Sequence, residues 1–304
     1  MGITSPKTHS LALAYPHQNW KDRITQQWSI LIGRRYEPTD EPWLAGPFGS
    51  TGGKCIGEGF IAELAQREHL VVTRNAEPGG LIPSISQLRL PPAQLGRLAP
   101  EVADFYEHTG RYNLTIKVTW QPLFRRFGTL VNLLFSRRLN QLNVPTENSV
   151  EPQAVNSEII TLNDPKTGET RYTIWYRTEL ATGRVIYSGI YGTCTLPDGR
   201  TCVRAVFPLP RGNATVIFAP EVGDDGSLVL SSSGRRFGDP GFYFLLRDAD
   251  DRCWANHVSS FRDRLVVSPG AAGLRAEQSM RLLGMNVVRF IYGISEGGTE
   301  AAAH

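Results

Sequence analysis

Short turn sequences recur at nearly even intervals along the second half of the chain, and they constrain its fold more than any other feature. Between residues 164 and 273 they read D-P-K-T-G, A-T-G, P-D-G, G-D-D-G, D-A-D-D and P-G-A-A-G. Strands joined by turns this short must be antiparallel neighbours. The pattern predicts strands at 155–163, 170–179, 184–192, 200–207, 213–219, 227–232, 241–247, 252–260, 262–268, 273–282 and 286–292.

A meander of this length tends to close, because an open twisted sheet leaves unpaired edges. We therefore predict a mainly β chain of the α+β class, whose antiparallel meander forms a lipocalin-like barrel or a strongly curved sheet. The segment 273–283 also contains good helix formers, among them Ala276, Met280 and Leu282. That segment is predicted as a strand against its local propensity.

The first half of the chain predicts helices that pack on this sheet. Pro100 and Gly110 suit the two ends of a helix at 100–109, and Pro122 opens a longer helix at 122–142. Another helix with one buried face is indicated by four residues at helical spacing, Trp20, Ile24, Trp28 and Leu31.

These patterns divide the chain into three parts. Residues 1–150 form a helical, loop-rich region packed on the sheet, residues 151–295 form the barrel or curved sheet, and residues 296–304 are interpreted as a disordered tail. The chain has no stretch of eighteen apolar residues and no signal-peptide organisation at its start. We therefore expect a cytoplasmic protein.

Composition excludes several classes of protein. The 304 residues are 41% hydrophobic and 20% charged with four cysteines, which excludes a disordered, collagenous or disulfide-dense chain. The glycine-rich stretch 46–55 lacks the spacing of a phosphate-binding loop. Neither paired cysteines at metal-binding spacing nor a calcium-loop motif is present. We therefore predict no metal and no cofactor.

Two cysteines flank a predicted hairpin. In C-T-L-P-D-G-R-T-C, a three-residue Pro197-Asp198-Gly199 turn places Cys194 opposite Cys202. Directly opposed cysteines are within reach of a disulfide. In a reducing compartment we expect two packed thiols instead.

Basic residues are concentrated in one segment. Residues 111–142 contain six Arg or Lys and no Asp or Glu, whereas the whole chain has a net charge of +3. Such a helix either covers the sheet with solvated arginines or binds an acidic protein, a peptide or a membrane surface. The lack of an RNP-type motif disfavours nucleic-acid binding. The arginines of the predicted helix are Arg125, Arg126, Arg137 and Arg138.

Polar residues within apolar strands indicate a ligand site. Arg204 lies in C-V-R-A-V-F and Arg289 in N-V-V-R-F-I-Y. An arginine that faces a barrel lumen needs an anionic partner such as a ligand carboxylate, whereas one that faces outward is merely solvated. If the chain binds an anionic amphipathic ligand, we predict that at least one of the two faces a cavity.

Aromatic strand residues supply a candidate pocket wall, and Trp175, Tyr176 and Tyr187 are its main candidates. For acid–base chemistry the candidates are His257 and Tyr243, because histidine is the usual proton carrier and a tyrosine hydroxyl is a suitable partner. A satisfied, non-catalytic histidine remains the alternative. Tyr172, Tyr191, Phe242 and Tyr243 complete the proposed wall.

The stretch S-S-S-G-R-R-F-G-D-P-G-F-Y-F at 231–244, followed by R-F-I-Y-G-I at 289–294, resembles a group of bacterial proteins of unknown function. The resemblance covers roughly the last 150 residues and implies no activity, cofactor or site.

Two functions remain open from sequence. The first is binding of an apolar or amphipathic small molecule, which can carry an anionic group, in a β-barrel pocket. Cofactor-independent isomerisation or cyclisation is compatible with such a pocket. The alternative is a non-catalytic interaction protein that uses the basic helix 122–142 or a sheet edge.

Overall fold

The computed structural model describes residues 20–49, 58–75, 77–122, 148–149 and 151–297. The α-helices of these residues are α1 Trp20–Ile32, α2 Glu58–Glu68, α3 Pro92–Leu95 and α4 Pro100–Glu107. The strands are β1 Arg34–Arg35, β2 Val71–Arg74, β3 Tyr112–Trp120, β4 Gln153–Asn163, β5 Thr170–Glu179, β6 Val185–Thr195, β7 Thr201–Leu209, β8 Gly212–Val222, β9 Leu228–Ser232, β10 Phe242–Arg247, β11 Cys253–His257, β12 Phe261–Gly270, β13 Gly273–Leu282 and β14 Met285–Glu296.

Ten antiparallel strands close into a barrel in the order β8-β7-β6-β5-β4-β3-β14-β13-β12-β9. The closing contact is between β9 and the second half of β8, where Ala219 pairs with Ser231 and Val222 with Leu228. Closure removes the exposed edges that a meander of this length would otherwise have. The predicted mainly β fold is confirmed, and the alternative of an open curved sheet does not apply.

Strand β8 belongs to two sheets at once. Its first half, Gly212–Val216, pairs with β10, which in turn pairs with β11 and then with the short β1. One edge of β8 is therefore shared between the barrel and a flap of three further strands. This division places β10 and β11 beside the barrel wall instead of within the closed ring.

The barrel includes a strand that sequence analysis assigned to the helical region. Strand β3 lies between β4 and β14, so the barrel begins at Tyr112 and not at 151. Its burial alternates, with Leu114, Ile116 and Val118 inside the core. Apolar residues at every second position indicate a strand, but the prediction considered this segment only for its basic and aromatic residues.

Strand β13 confirms the prediction made against local propensity. It pairs with β12 from Phe261↔Leu282 to Gly270↔Gly273 and with β14 along its other edge. Two complete ladders of hydrogen bonds and cross-strand contacts outweigh a helix preference that amounts to a fraction of a kcal/mol per residue.

Helix α4, which was predicted at 100–109, closes one end of the barrel. Its buried residues Val102, Phe105 and Tyr106 join the barrel core, and Ala99 N donates to Gly226 O in the β8–β9 turn at 3.0 Å. The helical region therefore packs on the sheet as expected at this position.

Helix α2 covers the outside of β4 and β5. Phe60, Ile61 and Leu64 pack against Ile160 and Ile174. Both faces of these strands are consequently apolar, one toward the lumen and one toward the helix.

Helix α1 forms where predicted, but its buried face differs. Trp28 and Leu31 are exposed, whereas Ile30 is buried against Leu246. The expected stripe was therefore wrong for these two residues, because the helix packs mainly on the flap.

Most of the predicted helix 122–142, with its four arginines Arg125, Arg126, Arg137 and Arg138, lies outside the described residues. The same holds for most of the tail 296–304 and for residues 50–55 of the glycine-rich stretch. The acidic, peptide or membrane partner expected at the arginines stays a prediction.

Candidate ligand-binding site

The barrel lumen holds a cavity of about 410 Å³. Alternation along each strand directs every second side chain inward. Protein interiors rarely leave voids larger than a water molecule, so a cavity of this size needs an explanation. Its apolar lining includes Leu81, Phe105, Leu114, Trp120, Val203, Ala205, Phe207, Ala214, Val216, Phe218, Phe242, Phe244, Phe261, Leu265, Ala276, Met280, Val288, Phe290 and Ile294.

A set of polar side chains crosses this apolar lumen. On one wall Arg177 Nη2 donates to Tyr191 Oη at 3.2 Å. On the other, Tyr292 Oη donates to Gln278 Oε1 at 3.4 Å, and Gln278 Nε2 donates to Asp263 Oδ2 at 2.7 Å. Arg177 also interacts electrostatically with Tyr292. The five groups therefore link opposite sides of the barrel, because β5 and β12 are diametrically opposed in the strand order.

Arg177 is a buried cation held mainly by aromatic rings. Arg177 is only 7% exposed. Its Cζ lies 3.9 Å from the ring centroid of Trp175 and 4.7 Å from that of Tyr187. Its Nε has no hydrogen-bond partner. Among the described residues no carboxylate forms an ion pair with this guanidinium. Cation–π contacts and the hydroxyls of Tyr191 and Tyr292 therefore provide most of its compensation.

Asp263 is the carboxyl group of the lumen. The residue is 3% exposed, and burial raises the pKa of its carboxyl to about 7 because the charged form loses hydration. The hydrogen bond from Gln278 acts in the opposite direction. Its Oδ1 has no partner within the described residues. The group can therefore accept a hydrogen bond from a ligand or, when protonated, donate one.

The lumen tyrosines remain neutral hydrogen-bonding groups. Burial raises the pKa of Tyr187 well above its ordinary value, and it raises the pKa of Tyr191 and Tyr292 as well. The Tyr187 hydroxyl has no partner in the described part of the chain. The apolar cavity is therefore surrounded by three polar atoms without a hydrogen-bond partner: Tyr187 Oη, Arg177 Nε and Asp263 Oδ1.

Four of the predicted wall residues face this lumen and three do not. Trp175, Tyr187, Tyr191 and Phe242 line the cavity, whereas Tyr172, Tyr176 and Tyr243 are not among its lining residues. Tyr176 lies outside, where Glu58 and Arg74 influence its pKa. Neighbouring residues of a strand point to opposite faces, so Trp175 and Tyr176 cannot share one pocket. The expected ligand contact of Tyr176 in the lumen is wrong for this reason.

Neither arginine singled out by sequence analysis faces the lumen. Arg289 is exposed, with a 52% accessible side chain that pairs with Glu277 at 2.6 Å. Arg204 lies on the outer face of β7, where its Nη1 donates to the Trp43 carbonyl at 3.2 Å. The prediction of a position in the lumen was wrong for both arginines. The inward positions beside them are occupied by Val203, Ala205, Val288 and Phe290.

Arg204 does line a second, polar cavity outside the barrel. This space of about 910 Å³ lies against the segment 36–49 and also contains Arg171 and Arg247 beside several carboxylates. Burial lowers the pKa of Arg204. This second cavity is mixed in charge and is not the barrel lumen, so the anionic ligand expected at Arg204 or Arg289 stays a prediction.

Structure brings Tyr243 and His257 together, but away from the lumen. The two residues are register partners on β10 and β11, with ring centroids 4.9 Å apart. The Tyr243 hydroxyl donates to the Asp239 carbonyl and accepts from Gly238 N at 3.1 Å, so it stabilises the β9–β10 loop. Burial lowers the pKa of His257, whose Nε2 has no partner among described atoms. Their acid–base role stays a prediction.

The cysteine hairpin has the predicted geometry. Cys194 pairs directly with Cys202, and Leu196 N donates to Arg200 O at 2.9 Å around a turn in which Gly199 has φ of +86°. Both thiols are free and buried.

Sequence reasoning missed Arg177, Asp263 and Gln278. Arg177 lies in T-I-W-Y-R-T-E, a charged residue two positions from Trp175 in an aromatic strand. The same pattern pointed to Arg204 and Arg289, so the sequence also indicated Arg177 as a candidate ligand-binding residue. Asp263 and Gln278 had no comparable signal, because their strand segments are rich in polar residues on both faces.

No family model and no solved structure matches the chain. Over 198 residues the chain is 32% identical to an uncharacterised membrane protein, YndJ, of Bacillus subtilis (strain 168). The match covers 64% of this chain and 34% of that protein, so the chain spans about a third of its relative's length. The expected resemblance to bacterial proteins of unknown function is thereby supported.

The relative is named as a membrane protein, and none of the helices within the described ranges is long and apolar enough to span a bilayer. The cytoplasmic location expected from sequence stays a prediction.

Proposed function

We propose that this protein binds an amphipathic small molecule in its barrel lumen, with the apolar body of the ligand among the aromatic and aliphatic wall residues and its polar group at the buried polar side chains. The observation that carries the proposal is a cavity of about 410 Å³ with an almost wholly apolar lining. Ligand pockets commonly have volumes of roughly 300–1,000 Å³ and few polar groups.

Unsatisfied polar atoms support a ligand over an empty cavity. Arg177 Nε, Asp263 Oδ1 and Tyr187 Oη are all buried without a partner in the described structure. Leaving each such group unpaired costs about 1–3 kcal/mol. A bound molecule with a polar end would satisfy them, whereas a purely apolar one would not.

The acid–base function considered for His257 and Tyr243 does not follow from the lumen, since both residues lie on the outer face of the flap. Any isomerisation or cyclisation in the cavity would depend on Asp263 and the lumen tyrosines instead. Binding is therefore the function that we propose.

Fluorescence titration with Nile red, a neutral polarity-sensitive dye, tests the proposal. Ala205 lines the lumen and is buried, so Ala205→Phe fills part of the cavity and should weaken dye binding at least tenfold. Ala154→Phe is the matched control, because Ala154 is exposed on β4. Thermal unfolding checks that both variants fold. Equal dye affinity in the wild type and Ala205→Phe would refute lumen binding.

A further inference from the structure

The lumen contains one permanent charge that the described residues leave without a counter-ion. Arginine has a cationic side chain with five N–H donors, and no described carboxylate pairs with Arg177. Moving such a cation out of water costs several kcal/mol even after relaxation. A protein that only needed to fill its core would place an apolar residue here.

From this we infer that the ligand is an apolar monocarboxylate whose carboxylate binds Arg177, with its hydrocarbon body in the barrel cavity. This inference rests on the proposed function and identifies the class of ligand. Arg177 binds through its edge, because the rings of Trp175 and Tyr187 lie against the guanidinium. Its Nε has no other partner, and in-plane N–H groups match the geometry of a carboxylate.

Hydroxyl groups near Arg177 extend the carboxylate site. Tyr191 already accepts from Nη2 at 3.2 Å, and the unpartnered Tyr187 hydroxyl belongs to a ring stacked on the same guanidinium. Both phenols stay protonated because burial raises their pKa. They can therefore donate to a carboxylate oxygen. This environment offers donors and a positive charge, which a cationic or purely apolar ligand could not use.

Asp263 does not reverse this preference. It lies on the opposite wall, on β12, and burial favours its neutral form. Below its pKa of about 7 the neutral carboxyl leaves Arg177 as the dominant charge of the lumen, and a single guanidinium balances a single negative charge. A carboxylate is therefore favoured over a phosphate dianion.

The first experiment uses the wild-type chain and three compounds with the same hydrocarbon body. Dodecanoate, dodecanol and dodecylammonium compete with Nile red below their aggregation concentrations. We expect dodecanoate to bind at least tenfold more tightly than dodecanol, with dodecylammonium weakest. Equal affinity for the acid and the alcohol would overturn the carboxylate inference and leave lumen binding intact. Tighter binding of dodecylammonium would also overturn it and implicate Asp263.

The second experiment removes the guanidinium. Arg177→Met keeps much of the side-chain volume, and we expect dodecanoate affinity to fall about 10- to 100-fold, the range of a hydrogen bond to a charged group. Affinity for dodecanol and Nile red should stay within about threefold. Arg289→Met is the matched control, since Arg289 is exposed and paired outside the barrel. Unchanged dodecanoate affinity in Arg177→Met would refute the inference. Should that variant fail to fold, the wild-type selectivity series decides the question.

Discussion

The stability that Asp263 contributes to this protein should fall as pH rises from about 4 to about 7. Burial raises the pKa of its carboxyl to about 7 in the folded state, whereas an aspartate in an unfolded chain has a pKa of about 3.9. Between these values the folded chain binds a proton that the unfolded chain has lost. The contribution of this group is therefore fully present below about pH 4 and is lost as pH rises through about 7.

The magnitude follows from the difference in pKa. Roughly three units, at about 1.36 kcal/mol each, correspond to a loss of about 4 kcal/mol between pH 4 and pH 8. That is a large part of the 5–15 kcal/mol typical of a folded domain. Tyr187, Tyr191 and Tyr292 face the same lumen, but their raised pKa keeps them neutral throughout this range.

Asp263→Asn isolates the effect. Asparagine has nearly the same shape, cannot ionise, and can still accept the hydrogen bond from Gln278 Nε2 that Asp263 accepts at 2.7 Å. We expect the variant to be more stable than the wild type by several kcal/mol at pH 8 and close to it at pH 4. Urea unfolding at constant ionic strength between pH 4 and pH 8.5 measures both free energies of unfolding, and titrations shared by the two chains cancel in the difference.

A control with the opposite sign tests the reasoning further. Hydrogen bonds from Ser227 lower the pKa of Asp225, so the stability contributed by Asp225 is present above its unfolded pKa and is lost as pH falls. Asp225→Asn should therefore lower the stability at high pH and have little effect on the stability at low pH. A wild-type minus Asp263→Asn difference that does not change with pH would refute the assignment of a raised pKa to Asp263.

Two further predictions concern the packing outside the lumen. Leu64 is fully buried between α2 and the barrel, so Leu64→Ala should lower the free energy of unfolding by about 2–5 kcal/mol. Gln66→Ala, on the exposed face of the same helix, should change it by less than about 0.5 kcal/mol. Urea unfolding measures both values, and similar values for the two variants would argue against this packing. Burial raises the pKa of the Cys194 thiol to about 11 and that of Cys202 to about 12, so iodoacetamide at pH 8 should alkylate both at least tenfold more slowly in the native protein than in urea. Mass spectrometry measures the rates, and equal rates would contradict the burial of these thiols.

Local features of the sequence determined the strand meander. A turn is encoded by the few residues that form it: Gly199 adopts positive φ at the tip of the cysteine hairpin, and Gly168 does so in D-P-K-T-G. Glycine adopts this conformation at little cost, so these turns can be identified without knowledge of distant contacts. The Cys194↔Cys202 register follows directly from the length of its turn.

Tertiary structure decided which strands closed the barrel and which side of each strand became the lumen. Strand β3 enters between β4 and β14, and β8 divides its edge between β9 and β10. The β3 pairings and the β8–β10 pairing join residues far apart in the chain, so no local pattern specifies them, whereas β8 and β9 meet across a short turn.

The dependence on distant contacts also explains why the sequence did not show which arginine faces the lumen. Alternation predicts which residues share a face but not which face lies inside, and α2 buries the outer face of β5 as fully as the lumen buries the inner one. Arg177, Arg204 and Arg289 have similar apolar neighbours in sequence. Only closure of the barrel places Arg177 in the lumen and the other two outside, because the direction of sheet curvature depends on contacts among all ten strands.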